Sequence, residues 1–139
     1  RFHCDSYAPI NSCWGYNNRT VSLRIPASDR ENSRIEHRIA GADANPYLLV
    51  CAILSGIHHG INLKKLPPAP IEGNAYLQKN NNIPNTWEES RKCFENSQII
   101  SDYFGKDFCN LFSNLKLGEQ SRFFNKIKPL EYDWYLKTV

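Results

Sequence analysis

The hydrophobic period of this chain changes once, near residue 45. Before that point, Thr20-Val21-Ser22-Leu23-Arg24-Ile25 and Arg34-Ile35-Glu36-His37-Arg38-Ile39 alternate polar and apolar residues, the period of a half-buried strand. Pro26 ends the first run, and the polar residues 27–33 separate it from the second. This pattern predicts an antiparallel hairpin with Val21, Leu23 and Ile25 inward. After Asn45-Pro46, a good N-cap followed by a good first helical residue, alternation gives way to helical spacing. Residues 47–57 are apolar nearly all round, which predicts a central, buried helix ending near Gly60. Pro67, Pro68 and Pro70 predict an extended loop. Thr86 and Glu89 fit a capping box opening a helix to about Ser97. Gln98–Phe104 reads as a second helix broken by Gly105. Residues 106–127 read as a long amphipathic helix, and 131–136 as a final turn beyond Pro129. Residues 1–18, rich in Tyr, Asn, Ser, Pro and Gly, read as a loop. The fold class is therefore α+β: a hairpin or partial sheet followed by a mostly helical half.

At 139 residues the chain has length for one domain with one core, spanning 1–139. Its net charge is +3, from 17 basic and 14 acidic residues. So small an excess does not drive counterion release along a nucleic acid, and no nucleic-acid partner is expected. No apolar stretch reaches the roughly 18 residues of a membrane span, so no membrane partner is expected either. The cysteines, at 4, 13, 51, 93 and 109, are odd in number and lack a CxxC pair. They read as free thiols in a reducing, cytoplasmic compartment. His58 and His59 are adjacent, point about 100° apart on a helix, and do not readily share a metal. The chain opens on Arg1 and contains no Met, which suggests a piece of a longer protein.

The hairpin carries the chemistry. Period 2 puts Arg34, Glu36 and Arg38 on one face of their strand and Arg24 on one face of the other, with Arg19 at its entrance. If the strands pair, four arginines and one glutamate converge. Guanidinium groups repel one another, and crowding them suits a bound phosphate or carboxylate. A lone carboxylate among them either pairs with an arginine or helps hold a divalent ion beside phosphates. By pattern alone, such a hairpin is more often a solvated face with cross-strand ion pairs. There is no Gly-rich phosphate loop of either common type, and one carboxylate does not hold a metal alone.

Asn18-Arg19-Thr20, Leu23-Arg24-Ile25-Pro26, Arg34-Ile35-Glu36-His37-Arg38 and Ala42-Asp43-Ala44-Asn45-Pro46-Tyr47 follow one another in an order and spacing that resemble the glutamine synthetase superfamily. Tyr7-Ala8-Pro9, Gly73-Asn74-Ala75-Tyr76 and Glu131-Tyr132-Asp133-Trp134-Tyr135 agree, so the resemblance covers essentially the whole chain. It is to the C-terminal part of the catalytic domain. The resemblance implies an ATP-dependent ligase: ATP phosphorylates the γ-carboxylate of glutamate, and an amine then displaces phosphate. It implies that Arg1 and Arg38 bind glutamate. Arg19, Arg24 and Arg34 would bind ATP, Arg19 and Arg38 would act in catalysis, and Glu36 would be a ligand of Mg2+ or Mn2+. It also implies a homo-oligomeric ring with active sites between subunits.

Tyr7 stands where ammonia-using bacterial members carry a glutamate. A phenol does not act as that base near neutral pH, and Tyr7 suits a larger, partly apolar amine. His37-Arg38-Ile39-Ala40-Gly41-Ala42-Asp43 and Gly56-Ile57-His58-His59-Gly60-Ile61 also look more like γ-glutamylpolyamine synthetases. The polyamine reading is favoured over a true glutamine synthetase using ammonia. The family's other metal-binding residues lie upstream of this chain, so it is expected to be inactive alone. A truncated, non-catalytic binding or assembly module is the alternative of another class. Tyr76, near a position adenylylated in some bacterial relatives, reads as packing or loop anchoring.

Overall fold

The structure, a computed structural model, describes residues 8–78 and 83–138. It divides into two compact units, residues 1–86 and 87–139.

The first unit holds a three-stranded sheet of order β1-β2-β3, with β1 Trp14–Tyr16, β2 Leu23–Ile25 and β3 Glu36–His37. β2 and β3 pair antiparallel, Leu23 opposite His37 and Arg24 opposite Glu36. This is the hairpin the alternation predicts, with shorter strands. The N–H groups of Ser22 and Leu23 both donate to the Cys13 carbonyl at 3.1 Å. The backbone bends there, and the period-2 register does not carry through. Val21 is accordingly fully buried, while Leu23, expected inward, is 39% exposed.

β1 corrects the reading of residues 1–18 as a loop. It runs parallel to β2, with Trp14, Gly15 and Tyr16 opposite Leu23, Arg24 and Ile25. Three residues are too few to show a period in sequence. Parallel neighbours usually need a connection of about a dozen residues; here residues 17–22 suffice. Asn17 makes the turn at φ 48°, and its N–H donates to the Ile25 carbonyl at 2.8 Å. The Asn18 side-chain oxygen then accepts from the Thr20 N–H at 2.9 Å and hydroxyl at 2.7 Å, a local turn typical of Asn.

Polar contacts hold residues 68–76 against this sheet. Trp14 Nε1 donates to the Pro68 carbonyl at 2.7 Å, and Asn18 Nδ2 donates to the carbonyls of Ile71 at 3.1 Å and Gly73 at 2.7 Å. Thr20 Oγ1 accepts from the Ala75 N–H at 2.9 Å. Pro9, Ile10, Val21 and Ala75 form the small core beneath. Gly15 lies where the two segments cross, and a Cβ there would sit 2.7 Å from the Ile71 carbonyl oxygen. That oxygen is backbone held by Asn18, so it yields only at a cost. Gly15→Ala is expected to destabilise this unit by about 2 kcal/mol, read as a lower urea midpoint; an unchanged midpoint would refute the crossing.

Helix α1, Pro46–Asn62, starts as predicted: Asn45 Oδ1 accepts from the N–H groups of Tyr47 and Leu48. It runs past Gly60, and its expected burial is corrected. No residue of α1 is buried. Tyr47, Val50, Leu54, Ile57 and Ile61, at alternating three- and four-residue steps, lie 49–81% exposed. A helix apolar on nearly every side needs neighbours on every side. Among the described residues, no other element packs extensively along it. Residues 65–72 are extended, as the prolines require.

The second unit is helical: α2 Trp87–Glu95, α3 Gln98–Phe104, α4 Lys106–Phe124 and α5 Pro129–Tyr135. The break between α3 and α4 is Gly105 at φ 83°, a conformation that favours glycine. α2 and α3 pack on α4 through rings. Phe112 meets Phe94 at 5.2 Å and Phe108 at 5.8 Å, and Phe108 stacks on Phe104 at 5.6 Å. The buried Ser113 hydroxyl donates to the Glu95 carboxylate, which Arg91 also pairs. These contacts, the Ser113 hydrogen bond foremost, hold the Glu95 pKa below its usual range. Pro129 starts α5 rather than preceding it, and the Glu131 carboxylate accepts from the Lys128 N–H at 3.0 Å.

Candidate active-site face

The pairing of β2 with β3 puts Arg24 opposite Glu36, and both side chains stand on the same side of the sheet. Arg24 Nη1 lies 2.8 Å from Glu36 Oε2, and Arg38 Nη1 lies 3.6 Å from Glu36 Oε1. The arginine side chains are 16% and 14% exposed and the glutamate 41%. One carboxylate therefore sits between two guanidinium groups, leaving one net positive charge on a partly covered surface. Arg24 Nη2 donates in turn to Asn17 Oδ1 at 2.7 Å. Arg24 is thus fixed from both ends of its guanidinium fork.

Among the described residues, neither Arg34 nor Arg19 pairs with Glu36. β3 begins only at Glu36, so Arg34 precedes the strand, and its Nη1 donates to the Asn32 carbonyl at 3.2 Å within its own turn. Arg19 is exposed and lines an open cleft of about 550 Å³ with Tyr16, Asn17, Asn18, Ile71 and Glu72. Asn17 is the link, since it both walls this cleft and holds Arg24. Arg1 and Tyr7 lie outside the described residues. Tyr76 is half-buried, and its hydroxyl donates to the Ala8 carbonyl at 3.0 Å, tying its turn to the Ala8-Pro9 loop.

Asn17 is the residue that sequence reasoning overlooks. The signal was an Asn-Asn pair directly before Arg19; Asn is the non-glycine residue that most readily takes positive φ.

The chemistry available is anion binding. Glu36 contributes a single carboxylate, both of whose oxygens face arginines. Among the described residues no three His, Cys, Asp or Glu side chains gather closely enough to hold a metal. These residues do not make a metal centre by themselves.

His37 occupies the opposite side of β3. Its Nδ1 is buried without a hydrogen-bond partner among the described residues, and burial pushes its pKa below the ordinary 6.5. The folded chain therefore takes up a proton at His37 less readily than the unfolded chain, which does so near 6.5. Stability from this site is complete above 6.5 and is lost as pH falls toward and through the lower folded value. The urea midpoint is expected to fall on acidification from pH 7 to pH 5.5, and His37→Gln to flatten that slope. An equal slope in the variant would remove His37 as its source.

Residues 1–135 match the family described as "Glutamine synthetase, catalytic domain". The chain is 39% identical over its whole length to the gamma-glutamylputrescine synthetase of Escherichia coli (strain K12), covering 29% of that enzyme. It is 34% identical over 137 residues to the gamma-glutamylethanolamide synthetase of Streptomyces coelicolor, again covering 29%. The chain thus spans about three-tenths of the length of these relatives. Among solved structures, the GmaS/ADP complex superposes with a TM-score of 0.78 over 94% of this chain and 30% of that one, at 22% identity. With its sheet, its helices and 135 matched residues in agreement, this chain belongs to the glutamine synthetase catalytic-domain family.

Proposed function

We propose that the whole protein carrying this chain is an ATP-dependent ligase joining the γ-carboxylate of glutamate to an amine through γ-glutamyl phosphate. The observation that carries the reading is the Arg24–Glu36–Arg38 cluster, set in a chain that matches the family over residues 1–135. Developing negative charge is stabilised by donors held in place beforehand. Arg24, fixed on two sides, is already in place and binds the ATP phosphates together with Arg19 and Arg34. Arg38 binds glutamate and steadies the acyl phosphate, with Arg19 contacting the phosphoryl group in transfer. Arg1 holds the glutamate carboxylate. Glu36 orients both guanidinium groups and supplies one ligand toward Mg2+ or Mn2+, the rest coming from beyond this chain. The ion's part is to neutralise phosphate charge when bound.

A polyamine is the favoured nucleophile over ammonia. Tyr7 in place of a carboxylate supports this, as does the relative named for putrescine; relatives named for ethanolamide and isopropylamine support an organic amine over ammonia without favouring a polyamine. The chain alone is inactive, and the whole protein is a cytoplasmic ring of identical subunits without nucleic-acid or membrane partners. No helix among the described residues is long and apolar enough to cross a membrane.

The test is phosphate release by the whole protein with glutamate, ATP and magnesium, compared across putrescine, other amines and ammonia. Release that depends on the amine and is fastest with a diamine is expected. No amine-dependent release from folded protein would overturn the ligase reading and leave the non-catalytic module standing. Ammonia surpassing every diamine would overturn only the amine assignment.

A further inference from the structure

We propose that Asn17 is a positioning residue for nucleotide binding, acting through Arg24; this rests on the ligase reading above. Arg24 and Asn17 are seven residues apart in sequence, yet Arg24 Nη2 donates to Asn17 Oδ1 at 2.7 Å. The opposite fork of the same guanidinium donates to Glu36 Oε2 at 2.8 Å. A guanidinium has five N–H donors in a rigid plane. Holding two of its branches fixes the orientation of that plane, and with it the direction in which its remaining donors meet an oxyanion. Arg24 Nε is buried and has no partner among the described residues, so protein atoms anchor this side chain through its two terminal nitrogens.

The position selects asparagine for two separate reasons. The backbone stands at φ 48°, which most side chains resist and Asn tolerates. The N–H of Asn17 also donates to the Ile25 carbonyl at 2.8 Å, so the turn is locked to the end of the strand that bears Arg24. The amide oxygen reaches Arg24 because of that lock. An amide is also the suitable acceptor electrically. It holds the guanidinium without a second negative charge, so Arg24 keeps its positive charge for phosphate, half-balanced only by Glu36. Asn17 further walls the cleft that Arg19 also lines, so the residue that holds Arg24 shares a cleft with a second arginine assigned to ATP.

Asn17→Gly removes the acceptor and keeps the backbone conformation available. In the whole protein it is expected to weaken ATP, as direct binding and as KM, about five- to tenfold, as for a lost hydrogen bond to a charged group at a partly exposed site. The glutamate KM and the melting temperature are expected to stay near wild type. The coupling is read in an Arg24→Lys background, where Asn17→Gly should add nothing further to the loss of ATP affinity. A purely structural role would lower the active fraction and the melting temperature, leave the ATP KM unchanged and be additive with Arg24→Lys. That result overturns the proposal and spares the ligase reading. Wild-type protein that binds no ATP overturns both.

Discussion

Glu36→Gln in the whole protein is expected to cut amine-dependent phosphate release by about 10²–10³-fold, the scale of losing one preorganised electrostatic element at a reacting centre. The substitution keeps the shape of the side chain and removes its charge. Its amide oxygen can still accept from one arginine, but two guanidinium groups, each only about 15% exposed, are left with no counter-charge between them. The same change is expected to lower stability by only about 1–2 kcal/mol, less than for a fully buried pair because Glu36 itself is 41% exposed. The two numbers separate a site from a solvated ion-pair face. If activity falls only as far as the folded fraction falls, the cluster is structural. If activity collapses in protein that melts near the wild-type temperature, Glu36 and its arginines serve the reaction. Circular dichroism and phosphate release on one preparation measure both.

Phe112→Ala is expected to have the largest effect on stability, about 2–4 kcal/mol and confined to residues 87–139. Phe112 is the ring at which α2 meets α4, touching Phe94 on one side and Phe108 on the other, with Lys116 Nζ 5.4 Å from its centroid. The neighbouring phenyl rings cannot collapse into the space without leaving their own stacked contacts. A unit of this length holds only about 3–8 kcal/mol in all, so the variant should lose much of its helical signal at 37 °C. Near-UV signals from Trp14 and Tyr16 in the sheet should persist. Retention of full helicity to the wild-type melting temperature would show that α4 is held by contacts other than this ring cluster.

The sequence made the hairpin legible because two alternating runs and a polar turn leave few registers in which apolar faces agree. The contact of Arg24 with Glu36 follows from that register. The helical half was legible from capping residues and Gly105, which act within a few residues of where they stand. β1 was hidden because its pairing to β2 depends on Asn17 at positive φ and on a carbonyl of Cys13 shared by two N–H groups, neither of which leaves a periodic trace. The exposure of α1 was hidden for another reason. Hydropathy states what Leu54 or Ile57 would gain by burial, and only the remaining chain decides whether anything is there to bury it. Arg34 shows the same limit on a smaller scale: period 2 aligns it with Glu36, but the strand begins two residues later.

Helix α1 also bears on the heat capacity of folding. Unfolding raises heat capacity as apolar surface becomes hydrated, at about 0.45 cal/K/mol for each Å². Tyr47, Val50, Leu54, Ile57 and Ile61 are already 49–81% hydrated in the folded chain, so these five side chains add little to that increment when α1 unwinds, and the half-covered Leu48, Leu49, Ala52 and Ile53 supply most of its share. A helix in a protein draws most of its stability from tertiary packing of one face, and α1 has little of it among the described residues. Its melting is therefore expected to be shallow and spread over a wide temperature range, beneath the sharper transition of the sheet that carries Arg24 and Glu36. A calorimetric trace of this chain would carry a sloping folded baseline, and the slope would be α1.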